Sequence, residues 1–283
     1  MLIKLKKERT HLEDRRLALW LATSAGLLNA IALGAFGFFP SHMTGNTSQL
    51  SSEVSSTDLS DILFGAIILS FVTGAIVARI IVIWGIIHNV RLIFSQVLFV
   101  EGLLLAGVSL YEMYFHSFAT NKEIILFLCG LMGIHNSTST QLSGGRVRST
   151  HITGTLTDAG ISLASVMVAM LRRDYSKDTA AQKSQLKTHL TTLFSFITGG
   201  IAGLILFREF GFHAMLALGL MLVFIAAFSI VRISWRVRRY APRLVDRVIS
   251  TPQVTLSLEA CSLRLFCLPT DSPYAMRLNS GCH

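Results

Sequence analysis

The 283-residue chain is 52% apolar and only 14% charged, whereas a soluble domain carries about 25% charged residues, so there is too little charge here to clothe a water-facing surface. Its formal net charge of +9 sits in short basic clusters between apolar runs, the arrangement found around bilayers. No interleaving of aromatic and basic residues and no zinc-ligand spacing accompanies it, which excludes nucleic acid as a partner and leaves the lipid bilayer as the surface this chain meets.

In chain order, residues 1–16 form a basic segment with Lys4, Lys6, Lys7, Arg9, Arg15 and Arg16. The apolar run that follows is about 20 residues long, too long for a signal-peptide core, and no small-x-small cleavage site ends it, so it reads as a first span. A helix needs about 20 mostly apolar residues to cross the hydrocarbon core. Six stretches qualify: 17–39, 62–87, 92–113, 124–142, 188–207 and 212–233. The stretch 152–171 is a candidate seventh.

Loop charge decides the count, because Lys and Arg concentrate on the cytoplasmic side. With the N-terminus inside, loop 40–61 lies outside and holds Glu53, Asp58 and Asp61 but no basic residue. The turn with Arg91 is then inside and the one with Lys122 outside. Loop 143–187 falls inside with Arg146, Arg148, Arg172, Arg173, Lys177, Lys183 and Lys187. Were 152–171 to cross, one of its flanking basic clusters would be stranded outside, together with Arg236, Arg238 and Arg239. The expected arrangement is therefore six spans with both termini cytoplasmic and 152–171 a re-entrant or surface-lying helix. Residues 236–283 read as a cytoplasmic basic segment followed from Thr251 by a disordered tail without periodicity. The tail holds Cys261, Cys267 and Cys282, while Cys129 lies in an apolar run. With no C-x-x-C pair and no His/Cys cluster, neither a metal, a cofactor nor a disulfide framework is expected.

The chain repeats itself. Ser70-Phe71-Val72-Thr73-Gly74-Ala75-Ile76 returns as Ser195-Phe196-Ile197-Thr198-Gly199-Gly200-Ile201, and Gly26-Leu27-Leu28-Asn29 as Gly133-Ile134-His135-Asn136. Ser41-His42-Met43-Thr44-Gly45-Asn46-Thr47 matches Thr150-His151-Ile152-Thr153-Gly154-Thr155-Leu156. The order is the same in both halves, so residues 17–113 and 122–235 each read as one copy of a three-span unit with a Thr-Gly segment. Three is odd, so the second copy enters the membrane the other way up. Inverted repeats of this kind build many secondary transporters, with sites at broken or re-entrant helices near the midplane.

The His-x-Thr-Gly-Asn segment after the first span, its His-x-Thr-Gly-Thr echo and the six-span plan resemble the YoaK-type bacterial membrane proteins, a family of unknown function with a Thr-Gly-Asn signature. The resemblance covers about residues 17–235. It implies a multi-pass protein of the bacterial plasma (inner) membrane and supplies no substrate.

Substrate-binding candidates follow from the repeats. Gly45 and Gly154 allow close backbone approach, and His42, Thr44, Asn46, Gln49, His151, Thr153, Thr155 and Asp158 offer donors and acceptors beside them. Thr44 and Thr153 are also expected as helix N-caps. The polar run from His135 and Asn136 to Gln141 cannot face lipid on every side, and Asn29 is the counterpart of Asn136. Arg79 and Glu101, the deepest ionisable residues, each lie about eleven residues from a turn at Val90, hence about 16 Å along neighbouring antiparallel helices, and are expected to form an intramembrane charge pair. The spans carry no His-Glu-x-x-His, no Gly-x-Ser-x-Gly and no paired carboxylates, so an enzyme is not expected. The expected function is transport of a small polar or anionic solute; the alternative is a non-transporting membrane protein that recruits a partner through its cytoplasmic loops.

Overall fold

The computed structural model describes residues 11–53, 59–88, 90, 92–115, 121–173 and 176–249, which contain only helices as regular structure. In order these are α1 (His11–Phe36), α2 (Met43–Glu53), α3 (Leu59–Ile87), α4 (Ile93–Phe115), α5 (Asn121–Ser143), α6 (Ile152–Leu171), α7 (Lys177–Phe210) and α8 (Phe212–Ile249). The chain divides into one compact unit up to Val231 and a second from Arg232. In the second, the described part is the basic continuation of α8 to Ile249; the tail expected to be disordered lies outside the described residues.

Six of these helices are long and apolar enough to cross a bilayer: Arg15–Phe36, Leu63–Ile87, Ile93–Phe115, Ile152–Leu171, Asp178–Phe210 and Phe212–Arg232. The chain is a multi-pass, all-helical membrane protein. Its core is drawn mainly from α1, α4, α5 and α8, where Leu17, Ile31, Phe94, Leu105, Leu128, Met132 and Met215 are fully enclosed, with Val82 of α3. The outer faces of α3, α6 and α7 carry exposed Ile80, Trp84, Leu163, Met167, Ile201 and Ile205, as a lipid-facing surface requires.

These six include α6, which was not expected to cross, and leave out α5, which was; α2 and the start of α7 also depart from the expected spans. Loop 40–61 contains α2, eleven residues long and too polar to be sought as a span. Helix α7 starts at Lys177, well before the apolar stretch at 188. Its polar first half is made of good helix formers, and the Ser176 side chain caps it by accepting from the Thr179 amide (3.4 Å).

Close backbone contacts fix how the helices run. A Cβ on Gly26 would strike the Phe196 carbonyl, one on Gly203 the Leu27 backbone, and one on Gly34 the Phe207 ring. Partner numbers rise together, so α1 and α7 are parallel. Between α3 and α5, Ser70 Oγ donates to the Leu126 carbonyl (2.6 Å) and Ser137 Oγ to that of Ala75 (3.1 Å). A Cβ on Gly74 would strike the Gly130 carbonyl and one on Gly133 the Phe71 carbonyl, so this pair is parallel too. By contrast α4 and α8 are antiparallel: Ser95 meets Ser229 (3.2 Å), while Ser109 donates to the Phe212 carbonyl (2.7 Å). Small residues let backbones touch in this way, and van der Waals contact then holds the helices together in lipid.

Candidate functional site

Helix α5 carries its polar run into the interior. His135 is 2% exposed; its Nε2–H donates to the Leu21 carbonyl of α1 (3.0 Å), and its Nδ1 lies 2.6 Å from Glu101 Oε1 on α4. Glu101 is equally buried. It arrives there because the buried positions of α4 (Phe94, Val97, Leu98, Glu101, Gly102, Leu105) follow helical spacing along one stripe, with the carboxylate at its centre. Close by in the chain, Asn136 Oδ1 and Thr138 Oγ1 are buried without a hydrogen-bond partner, as is Glu101 Oε2.

Arg79 does not pair with Glu101. Its Nη1 donates to Gln141 Oε1 (2.8 Å), Gln141 Nε2 donates to Ser137 Oγ (2.8 Å), and Ser137 completes the chain at the Ala75 carbonyl. Equal depth on two helices does not fix rotation about their axes: Arg79 lies on an exposed side of α3 reached by α5, whereas Glu101 faces inward to His135.

The two Thr-Gly segments are built alike and sit apart. Helix α2 packs on α3 and α6 on α7, and among the described residues α2 and α6 make no contact. In each, a histidine just before the helix folds its ring over the glycine three residues on, His42 over Gly45 and His151 over Gly154; a Cβ on either glycine would collide with the ring. The residues after them share one pattern: Thr44 and Thr153 exposed, Asn46 and Thr155 buried. Thr44 and Thr153 are not N-caps, since the helices begin one residue earlier and His151, the cap of α6, makes no side-chain capping bond. Asn29 is occupied structurally, its Oδ1 accepting from the amide (3.1 Å) and hydroxyl (2.9 Å) of Ser41. Asn46 Nδ2 is buried without a partner, and Gln49 is exposed on α2.

The second Thr-Gly segment opens onto a cavity of about 340 Å³. Arg146 and Arg148 from the α5–α6 connection, His151, Thr155 and Asp158 from the start of α6, and Gln182, Gln185 and His189 from the polar half of α7 line it. Two arginines and two histidines line it with a single carboxylate, which suits an anion better than a cation. Gly144 and Gly145, both at positive φ, turn the chain sharply enough to bring the arginines back over α6. Of the residues expected from sequence, only His151, Thr155 and Asp158 lie at this cavity. Gln182, Gln185 and His189 were recoverable as a polar stripe at helical spacing, but an apolar-run search passes over them. Among the described residues no three His, Cys, Asp or Glu side chains gather as a metal would need.

The sequence model of one protein family, described as "Protein of unknown function (DUF1275)", matches residues 17–228, nearly the stretch over which the YoaK-type resemblance runs. No curated protein matches the chain, and no solved structure does. With three quarters of its length inside the match, the chain belongs to the DUF1275 family of proteins of unknown function.

Proposed function

We propose that this protein is a transporter of a small polar or anionic solute in the bacterial inner membrane, built from two inverted copies, α1–α4 and α5–α8, with both termini cytoplasmic. The carrying observation is the duplicated lock between them. Gly26 and Gly133 hold the same place in the Gly-x-x-Asn motif, and each abuts the carbonyl of the equivalent phenylalanine of the other copy, Phe196 or Phe71. Gly199 and Gly74 abut Thr23 and Gly130, which are again equivalent, each three residues before the motif glycine. Reciprocal exchange at matched positions is what a two-fold relation between copies produces, and transporters rock such copies against each other around a central site.

The helix directions support the inverted plan. Because α1 and α7 are parallel, the chain between them crosses an odd number of times. Helix α2, eleven residues and about 16 Å long, is too short. Helix α5 lies alongside α3 and crosses with it, so α3, α4 and α5 supply three crossings. Helix α6 then starts and ends on one face, in the basic cytoplasmic region. Its cavity is of ligand size, and its arginines and histidines favour an anion.

Reconstitution in proteoliposomes and flux measurement across a panel of small carboxylates, phosphate-class anions and neutral polar solutes tests this. Saturable flux of one class is expected, weakened by Arg148→Gln and His151→Gln. Folded, reconstituted protein without flux of any of them contradicts transport.

A further inference from the structure

The buried contact between His135 and Glu101 constrains where protons can be. A carbonyl oxygen only accepts, so the bond to Leu21 places a hydrogen on Nε2. At 2.6 Å, Nδ1 and Oε1 cannot both present lone pairs, so one proton lies between them. It makes either neutral imidazole with carboxylic acid or imidazolium with carboxylate, and the pair is neutral overall in both forms.

Neither neighbouring charge state fits the closed site. Removing the proton leaves a net negative charge at a site with 2% exposure on each side, with two lone pairs opposed. Adding a second leaves a net positive charge and puts a hydroxyl on Oε2, which has no buried acceptor to meet. Both outcomes are costly away from water. Among the described residues no other charge is placed to compensate. Residues 17–36 of α1, 190–207 of α7 and 214–231 of α8 contain no Asp, Glu, Lys, Arg or His. Arg79 of α3 is engaged with Gln141. Glu112 lies eleven residues beyond Glu101 on α4, about 16 Å away, and Cys129 lies six residues before His135 on α5.

We propose that Glu101 and His135 together form a binding site for one proton, sealed in this conformation and released only when α4 and α5 part enough to admit water. The site stands on this geometry alone; its use as the coupling site for solute movement rests on the transport reading above. Proton release from the pair therefore reports separation of the two helices.

A pH step applied to proteoliposomes on a solid-supported membrane, with no solute present, tests the site through the charge that moves. Wild-type protein is expected to give a transient displacement. Glu101→Gln keeps shape and can still donate to Nδ1, yet carries no exchangeable charge, and should reduce the displacement at least about tenfold. His135→Gln, which keeps the carboxyl and removes its base, should do the same and serves if the first variant does not fold. A displacement of wild-type size in either folded variant, or none from the wild-type protein, overturns the proposal. Displacement without flux of any solute would remove the transport reading and leave the proton site in place.

Discussion

Helices α5 and α6 stand in opposite relation to the measure by which spans are picked from a sequence. Helix α5 carries seven consecutive polar residues from His135 to Gln141 and is absent from the helices apolar enough to cross. Yet Leu128, Met132, His135 and Ser139 are almost wholly enclosed. Helix α6 qualifies by composition, but buries only Thr155, Ala159, Ser162 and Val166 and exposes Leu163, Met167 and Leu171. Hydropathy records what a helix offers to lipid. A helix surrounded by protein is free to be polar, whereas one that faces lipid must be apolar.

Substitutions along α5 and its neighbours test this difference. The largest effect is expected at the centre of α5's contacts. Glu101→Ala strands the buried His135, and removing one partner of such a pair costs about 3–5 kcal/mol, so folded yield and resistance to SDS unfolding should fall sharply. Double-mutant cycles should couple Glu101 to His135, whereas Arg79→Ala should add to Glu101→Ala within about 0.5 kcal/mol, as unconnected sites do. Strong coupling between Arg79 and Glu101 would show that the helices rotate into another packing.

The backbone locks come next. Gly133→Ala must move the Phe71 carbonyl and Gly26→Ala that of Phe196; overpacking of this kind costs about 1–3 kcal/mol. The two losses, read by the same unfolding assay, should be similar, and a harmless Gly133→Ala would dissolve the lock on the α5 side. Ser70→Ala, which removes a hydroxyl bond to the Leu126 carbonyl, should cost about 0.5–1.5 kcal/mol. Gly160 on α6 has nothing within 4 Å of an added Cβ. Gly160→Ala should therefore change sign relative to Gly133→Ala and gain about 0.5–1 kcal/mol from helix propensity.

The sequence disclosed the helices wherever an apolar run made one, and the bounds of α6 coincide with the stretch 152–171. It marked only the start of α2, which is short and polar, and concealed the first half of α7, whose evidence for helix is a serine cap and residue propensity instead of apolarity. Glu101 stood out as an ionisable group inside an apolar run, and His135 as the head of a polar one. Their pairing did not, because position along a helix says nothing about its rotation until neighbours are known. The cavity was hidden for a different reason: its lining comes from a loop, the start of α6 and the polar half of α7, three segments that no single periodicity links. The His-x-x-Gly spacing of the two copies places a ring over a glycine, a local packing contact that spacing alone does not reveal.

The proposed inverted arrangement requires α6 to begin and end on the same face while α5 crosses. In a cysteine-free background, single cysteines at Lys122, Arg148 and Arg172 place the start of α5 and both ends of α6, and a membrane-impermeant maleimide applied to intact cells reads their side. Labelling at Lys122 alone, with Arg148 and Arg172 reacting only after permeabilisation, is the predicted result. External labelling at one of Arg148 and Arg172 but not the other would make α6 a span and contradict the inverted, interlocked arrangement.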